Sequence, residues 1–346
     1  MKVDNLFVVE SPLQALVALD LSLQFSGQKN GIVYRLSGKK RTRNDEQIVR
    51  VVERGSWEYS ESFFFGHKAG LLFHLKARRK ILSFKKRFFG RVDNLFFGEF
   101  RSQWMHLLRA SIAPRKVILM DDGAATLIAK KGYIDKGVYY PEEIWRRERI
   151  KKLVKDIVYL GLVDRKELSK PLGYASAFLR DESDYVVNFS SLINSKDERQ
   201  QEIMGSKKVF FFGSKYSEAG IINREYEFDF LCRILNFYKN LGHEVIYCSH
   251  RDESEEKLSV LESRFGINVI SPELPAEIFM LDHYNEIEEI AAAYSSVINN
   301  LRLVFPGKKF RSFRLHEGEI NIRKRQSIAD IYDYFESQGI WVEKDF

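Results

Sequence analysis

Apolar positions along the chain fall into short continuous runs that alternate with stretches of helical spacing. The opening L-F-V-V-E-S-P-L-Q (6 to 14) reads as a buried strand running straight into a helix. Ser11 suits the N-cap and Pro12 the first helical position, and Leu13, Leu16, Val17 and Leu21 recur on one face. Strands are predicted again at Gly31 to Leu36, Val92 to Phe97 and Lys116 to Met120, with helical patterns around Gln47 to Glu53, Lys68 to Phe88 and Phe100 to Ala110. This alternation argues for a parallel sheet covered by helices on both faces.

The polar, punctuated segment 191 to 206 reads as a linker or a helix leading into one, after which the alternation resumes. K-V-F-F-F-G-S (208 to 214) is a strand ending in a glycine loop. Phe228, Leu231, Cys232 and Leu235 mark a helix stopped by Gly242, and E-V-I-Y-C (244 to 248) is the next strand. The segments I-N-V-I, L-P-A-E-I-F-M-L and I-A-A-A-Y-S-S-V-I-N-N-L continue the pattern to about residue 301. Two α/β sheets result, in domains of about 1–190 and 207–325, with 326–346 expected as a C-terminal helix and tail packing back on the first domain.

Length and composition agree with two packed cores: 346 residues, 45% hydrophobic and 14% aromatic. Cys232 and Cys248 have no spacing that suggests a disulfide framework or a zinc site, which fits a reducing cytoplasm. The N-terminus lacks the pattern of a signal peptide, and no window reaches the ~20 apolar residues of a membrane span. The net charge of +7 is concentrated in runs 76 to 91 and 145 to 152. Such runs suit an anionic membrane face, an acidic sugar polymer or nucleic acid, and equally a solvated helix face. No nucleic-acid-binding signature accompanies them, so nucleic acid is not an expected partner.

Ligands of open parallel sheets bind beyond the carboxyl ends of the strands, so the residues just after each strand carry the candidate chemistry. Asp121 and Asp122 follow the fourth first-domain strand, where mutual crowding raises one pKa and favours a base; an Asp-Asp-Gly turn capping a helix near Ala124 is the alternative. His250 ends the strand at 244 to 248 and could act as an acid or clamp phosphate. Ser295 and Ser296 precede a helix and offer hydroxyls and backbone N–H groups to phosphate, or serve as an ordinary N-cap. Glu277 is a carboxylate in an apolar segment that either binds ligand hydroxyls or is a helix-end charge. A magnesium-dependent phosphotransferase using the aspartates would want a glycine-rich phosphate loop, which the chain lacks.

In order, D-D-G, a strand with a glycine loop, a strand-terminal histidine, P-x-E and S-S before a helix resemble the bacterial sialyltransferases. The likeness is to the group of lipooligosaccharide sialyltransferases and capsular polysialyltransferases. The resemblance implies a GT-B fold of two Rossmann-like domains facing a central cleft, and an inverting, metal-independent transfer of sialic acid from CMP-sialic acid to a bacterial surface glycan. No cofactor or metal is expected. Asp122, or its neighbour Asp121, would be the base and His250 the acid or phosphate clamp. Glu277 would bind the ribose, Ser295 and Ser296 the phosphate, and Gly213 and Ser214 would line the nucleotide side. The segment E-S-P-L-Q places Ser11 and Gln14 near donor or acceptor. The family's histidine is normally followed by proline; here Arg251 follows, and could itself contact the donor. The implied partners are a CMP-nonulosonic acid and a glycan acceptor; the basic runs add an anionic membrane surface as a candidate partner, which would hold a cytoplasmic enzyme at the inner face of the membrane. The same fold with CMP-Kdo, CMP-legionaminate or CMP-pseudaminate, or a non-catalytic binder of acidic glycan, are the rival readings.

Overall fold

The computed structural model describes residues 2–38, 42–64, 71–137, 172–189, 192 and 208–346. The chain divides into two compact units, Met1–Asn188 and Phe189–Phe346.

The first unit is built on a seven-stranded sheet in the order β3-β2-β1-β4-β5-β6-β7, with every pairing parallel. Its strands are β1 (Val3–Val9), β2 (Asn30–Leu36), β3 (Tyr59–Phe64), β4 (Val92–Phe97), β5 (Lys116–Met120), β6 (Gly173–Ser176) and β7 (Tyr185–Val186). Among the described residues the α-helices between them are α1 (Pro12–Gln24), α2 (Thr42–Val52), α3 (Leu71–Phe88), α4 (Gln103–Ile112) and α5 (Ala125–Ala129). Leu6, Val8, Leu95 and Phe97 of the central strands are fully or almost fully buried, packed against Phe84 and Phe88 of α3 and Trp104 and Leu108 of α4. Ser11 caps α1 as expected, its hydroxyl accepting from the Gln14 N–H, with Pro12 at the helix start.

The second unit holds a six-stranded parallel sheet, β10-β9-β8-β11-β12-β13. Its strands are β8 (Lys208–Phe212), β9 (Glu244–Cys248), β10 (Asn268–Ile270), β11 (Ile287–Ala292), β12 (Lys309–Phe313) and β13 (Trp341–Glu343). Its helices are α6 (Arg224–Asn240), α7 (Glu255–Phe265), α8 (Ala276–Asp282), α9 (Ser296–Val304) and α10 (Arg325–Ser337). Of the expected C-terminal helix and tail, the helix is α10, and the placement of the tail on the first domain is corrected here. After α10 the chain lays down β13 beside β12, with Ser312 opposite Val342, so residues 326–346 complete the second unit's own sheet. A strand, a crossover helix and a parallel strand form the unit a parallel sheet extends by.

In each sheet the strand order reverses at one point. In the first unit successive strands run outward from β1 through β2 to β3, then the chain returns to β4 on the other side of β1. In the second the same reversal separates β8 from β11. Connections on the two sides leave to opposite faces at such a point, opening a crevice at the carboxyl ends of the two strands. Residues 10–14, 98–101 and 121–122 follow β1, β4 and β5; residues 213–214 and 295–296 follow β8 and β11.

Candidate active site

The two adjacent aspartates meet different surroundings. Asp121 is 2% exposed and is bound to the end of the neighbouring strand β6. Its Oδ1 accepts from the Ser176 hydroxyl and its Oδ2 from the Ala177 N–H at 2.5 Å, so both oxygens tie down the end of β6. Burial pushes its pKa up to about 6 against the pull of those donors.

Asp122 faces the loop after β1. Its Oδ1 accepts from Gln14 Nε2 at 2.8 Å and from Ser11 Oγ at 3.1 Å, while Oδ2 takes no hydrogen bond among the described residues. Burial raises the Asp122 pKa to about 7; Glu99 and Glu10 push the same way, and Gln14 and Arg101 oppose them. The glutamine is itself fixed, since its Oε1 accepts from the Glu10 N–H at 2.8 Å. Gly98 makes room for it: a Cβ at that position would lie 2.3 Å from Gln14 Cδ. The expected turn is present, with Gly123 at φ +65°, the left-handed region that favours glycine. Neither carboxylate caps the helix that follows; the Asp122 N–H instead donates to Thr126 Oγ1.

Around this pair stand charges that the sequence reading did not single out. Glu10 accepts from Ser102 Oγ at 3.0 Å and Trp104 Nε1 at 2.5 Å, and pairs with Arg35 at 3.2 Å. Arg101 forks onto Glu99, its Nε at 2.9 Å and a terminal nitrogen at 2.6 Å. Only the sheet order, which sets β4 beside β1, makes Glu10 and Glu99 neighbours, so no local spacing marks them.

In the second unit the loops carrying Ser214 and His250 share one network, and Glu277 is tied separately to the helix that Ser295 caps. Glu253, just before α7, binds the loops together. Its Oε2 accepts from the His250 N–H at 2.5 Å, and its Oε1 from Tyr247 Oη at 2.7 Å and Lys257 Nζ at 2.6 Å. Lys257 also reaches Glu227 and the Ser214 carbonyl, the latter at 2.9 Å. Burial opposes the charge of Lys257, yet Glu253 and Glu227 hold its pKa above the ordinary value. Gly213 lies against this network, where a Cβ would sit 2.2 Å from Tyr247 Oη and 2.7 Å from Glu253 Oε2. Glycine is therefore required there by close packing. His250 Nδ1 accepts from the Asp252 N–H at 3.1 Å, which puts the neutral ring's proton on Nε2.

Glu277 is buried in the first turn of α8, and its Oε1 accepts from Asn300 Nδ2 of α9 at 2.8 Å. Burial raises its pKa; Asn300 and the charge of Arg251 act the other way. The Asn300 bond thus joins Glu277 to the helix capped by Ser295, whose hydroxyl accepts from the Val297 N–H at 3.4 Å. Ser296 opens that helix. Among the described residues no group of three or more His, Cys, Asp or Glu side chains is placed to hold a metal ion.

The sequence model of the alpha-2,8-polysialyltransferase family matches residues 5–314, a span that includes every candidate residue above. The chain belongs to that family. As an alpha-2,8-polysialyltransferase family member it is a glycosyltransferase of the sialyltransferase kind. Its fold is that of the alpha/beta-galactoside alpha-2,3-sialyltransferase from Photobacterium phosphoreum, at 12% identity, TM-score 0.51 and coverage of 99% of this chain and 98% of that one. It is also that of the UDP-GlcNAc 2-epimerase from Neisseria meningitidis, at 12% identity, TM-score 0.54 and coverage of 98% and 94%. The UDP-GlcNAc 2-epimerase from Methanocaldococcus jannaschii matches at 10% identity, TM-score 0.53 and coverage of 95% and 92%. At such identities these likenesses establish the α/β architecture of GT-B type alone. No curated protein matches the family member in sequence.

Proposed function

We propose that this polysialyltransferase family member moves sialic acid from CMP-sialic acid to an acidic glycan of a bacterial surface polysaccharide or lipooligosaccharide, with inversion at the anomeric carbon. The observation that carries the reading is Asp122. One of its oxygens is clamped by Gln14 and Ser11, the other takes no bond from the described residues, and its pKa is lifted to about 7. A base is most effective when its pKa lies near the working pH, and a fixed carboxylate with an open oxygen is placed to receive a proton.

The steps follow from the donor's chemistry. The acceptor hydroxyl loses its proton to Asp122 Oδ2 as its oxygen bonds the anomeric carbon. The bond from that carbon to the phosphate oxygen breaks, and its electron pair leaves on CMP. Charge grows on the departing phosphate, where hydrogen-bond donors stabilise the transition state more than the ground state. His250, Arg251 and the Ser295–Ser296 helix start are assigned that role, and Glu277 the ribose hydroxyls. Gly213 and Ser214 form the backbone beside the nucleotide. The route uses carboxylate, imidazole and hydroxyl groups of the chain itself.

Ser11 and Gln14, assigned from sequence to donor or acceptor, are read here as the pair that aims the base. Incubation with a panel of CMP-activated acid sugars, with and without acidic glycans, tests the reading. Acceptor-dependent CMP release from CMP-sialic acid is expected; release from none of the donors would refute it.

A further inference from the structure

A polar cavity lies in the C-terminal unit, at the carboxyl ends of β12 and β13 and apart from the strand reversal between β8 and β11. Its volume is about 290 Å³. The floor is apolar and aromatic, with Leu315, Ile328 and Tyr332 almost fully buried. Its polar lining is dominated by cations: Arg233 from α6, Arg314 after β12, Arg325 from α10 and Lys344 after β13, against the single carboxylate of Glu317.

Among the described residues, two of these cations are held in place without an ion pair, and the other two share one carboxylate. Arg325 donates to the carbonyls of Ile320 and Gly318 at 3.0 and 3.1 Å, and Arg233 lies over the rings of Tyr226 and Phe346. Among the described residues neither pairs with a carboxylate. Arg314 stacks on Tyr332, 5.0 Å from its centroid, and stands 3.9 Å from Glu336, the carboxylate that Lys344 holds at 2.9 Å. Like charges gathered at one mouth repel, and an anion between them relieves the repulsion.

We infer that this cavity binds one residue of an acidic glycan, with its carboxylate between Arg233, Arg325 and Lys344. At about 290 Å³ the cavity is larger than a bare inorganic anion can fill, whereas an acid-sugar ring fills it and brings its carboxylate to the cations. The inference rests on the proposed use of an acidic acceptor, and adds a holding point for the chain away from the reacting end. Such a point raises the local concentration of the acceptor chain without touching the reacting atoms.

The test uses the full-length protein and a purified α2,8-linked sialic acid oligomer, with Arg233→Gln/Lys344→Gln as the variant. Loss of two cations should weaken oligomer binding by roughly tenfold or more. CMP affinity and turnover on an acceptor carrying one sialic acid should stay unchanged, while KM for long acceptors rises. Inorganic phosphate should compete weakly, and a neutral oligosaccharide of equal length should not bind. Because Arg325 also holds the 318–320 turn, Arg325→Lys serves as the conservative companion, expected to weaken the oligomer less. Wild-type oligomer affinity in the double variant, or complete displacement of the oligomer by equimolar phosphate, would overturn the inference. Loss of transfer by the wild-type protein alongside intact, variant-sensitive oligomer binding would instead refute the proposed reaction and leave the cavity's assignment standing.

Discussion

Asp121 and Asp122 differ by which of their oxygens is already occupied. Replacing Asp121 with Asn turns an acceptor into a donor facing either the Ser176 hydroxyl or the Ala177 N–H. A buried donor left without its acceptor costs roughly 1–3 kcal/mol, so Asp121→Asn is expected to lower stability by that amount, read by denaturant unfolding. Asp122→Asn should behave in the opposite way. The folded-state pKa of about 7 lies above the ordinary 3.8, so the native protein binds more protons than the unfolded chain between those values. Stability contributed by Asp122 is therefore present at low pH and lost as pH rises toward 7. At pH 8 the asparagine variant should be at least as stable as the wild type, while transfer falls by roughly 10²–10⁴-fold. The D-D-G stretch makes this pair legible in the sequence, but the division of labour between the two is not. It depends on Ser176 and on Gln14, which lie 55 and 108 residues away in sequence from the aspartates they touch.

Among elements, the strands that sequence pattern found are those with continuous apolar runs and buried faces, such as β1, β4, β5, β8 and β9. The ones it missed are short, polar or at edges. Tyr59–Phe64 reads Y-S-E-S-F-F, with most of its side chains partly or fully exposed, and β12 is K-F-R-S-F, where Arg311 pairs with Glu289 and Glu343. No period separates such segments from loops until a neighbouring strand supplies their hydrogen bonds. The Glu253–Lys257–Glu227 network went unseen for a related reason. Its i, i+4 members look like an ordinary surface helix pair, yet Glu253 and Lys257 side chains are 0% and 6% exposed. Lys257→Met would leave two buried carboxylates without their cation. Breaking a buried ion pair on one side costs about 3–5 kcal/mol, and a fall in Tm of the full-length protein, with weakened CMP binding as the 213–214 and 250 loops loosen, is the expected result. Unchanged Tm and CMP affinity would show that the network does not hold those loops.

At the scale of the molecule, two sheets with helices between the strands were legible from alternation alone, and the division falls at Asn188. The return of the chain after residue 325 was not, because a three-residue strand leaves no mark on hydropathy. The basic run at 76 to 91 lies largely on α3, whose Ile81, Phe84 and Phe88 are buried while Lys86 and Arg87 face solvent; the run at 145 to 152 lies outside the described residues. No helix of the described residues is long and apolar enough to cross a membrane. If the α3 run guides an acidic acceptor or holds the enzyme at an anionic membrane, Lys85→Glu/Lys86→Glu should lower activity on long acidic acceptors or binding to anionic vesicles, and more so at low salt. Equal activity and vesicle binding at all salt concentrations would make the run a solvated face only.

The most direct test of the account is the pH dependence of CMP release from CMP-sialic acid, measured with saturating donor and an acidic glycan acceptor for wild type and Asp122→Asn. Because Asp122 must be ionised to accept a proton, wild-type turnover should climb through about pH 7 toward a plateau, and the variant should lose that turnover while still binding CMP. Transfer by Asp122→Asn at a rate near wild type, with the same rise through pH 7, would contradict the assignment of the base.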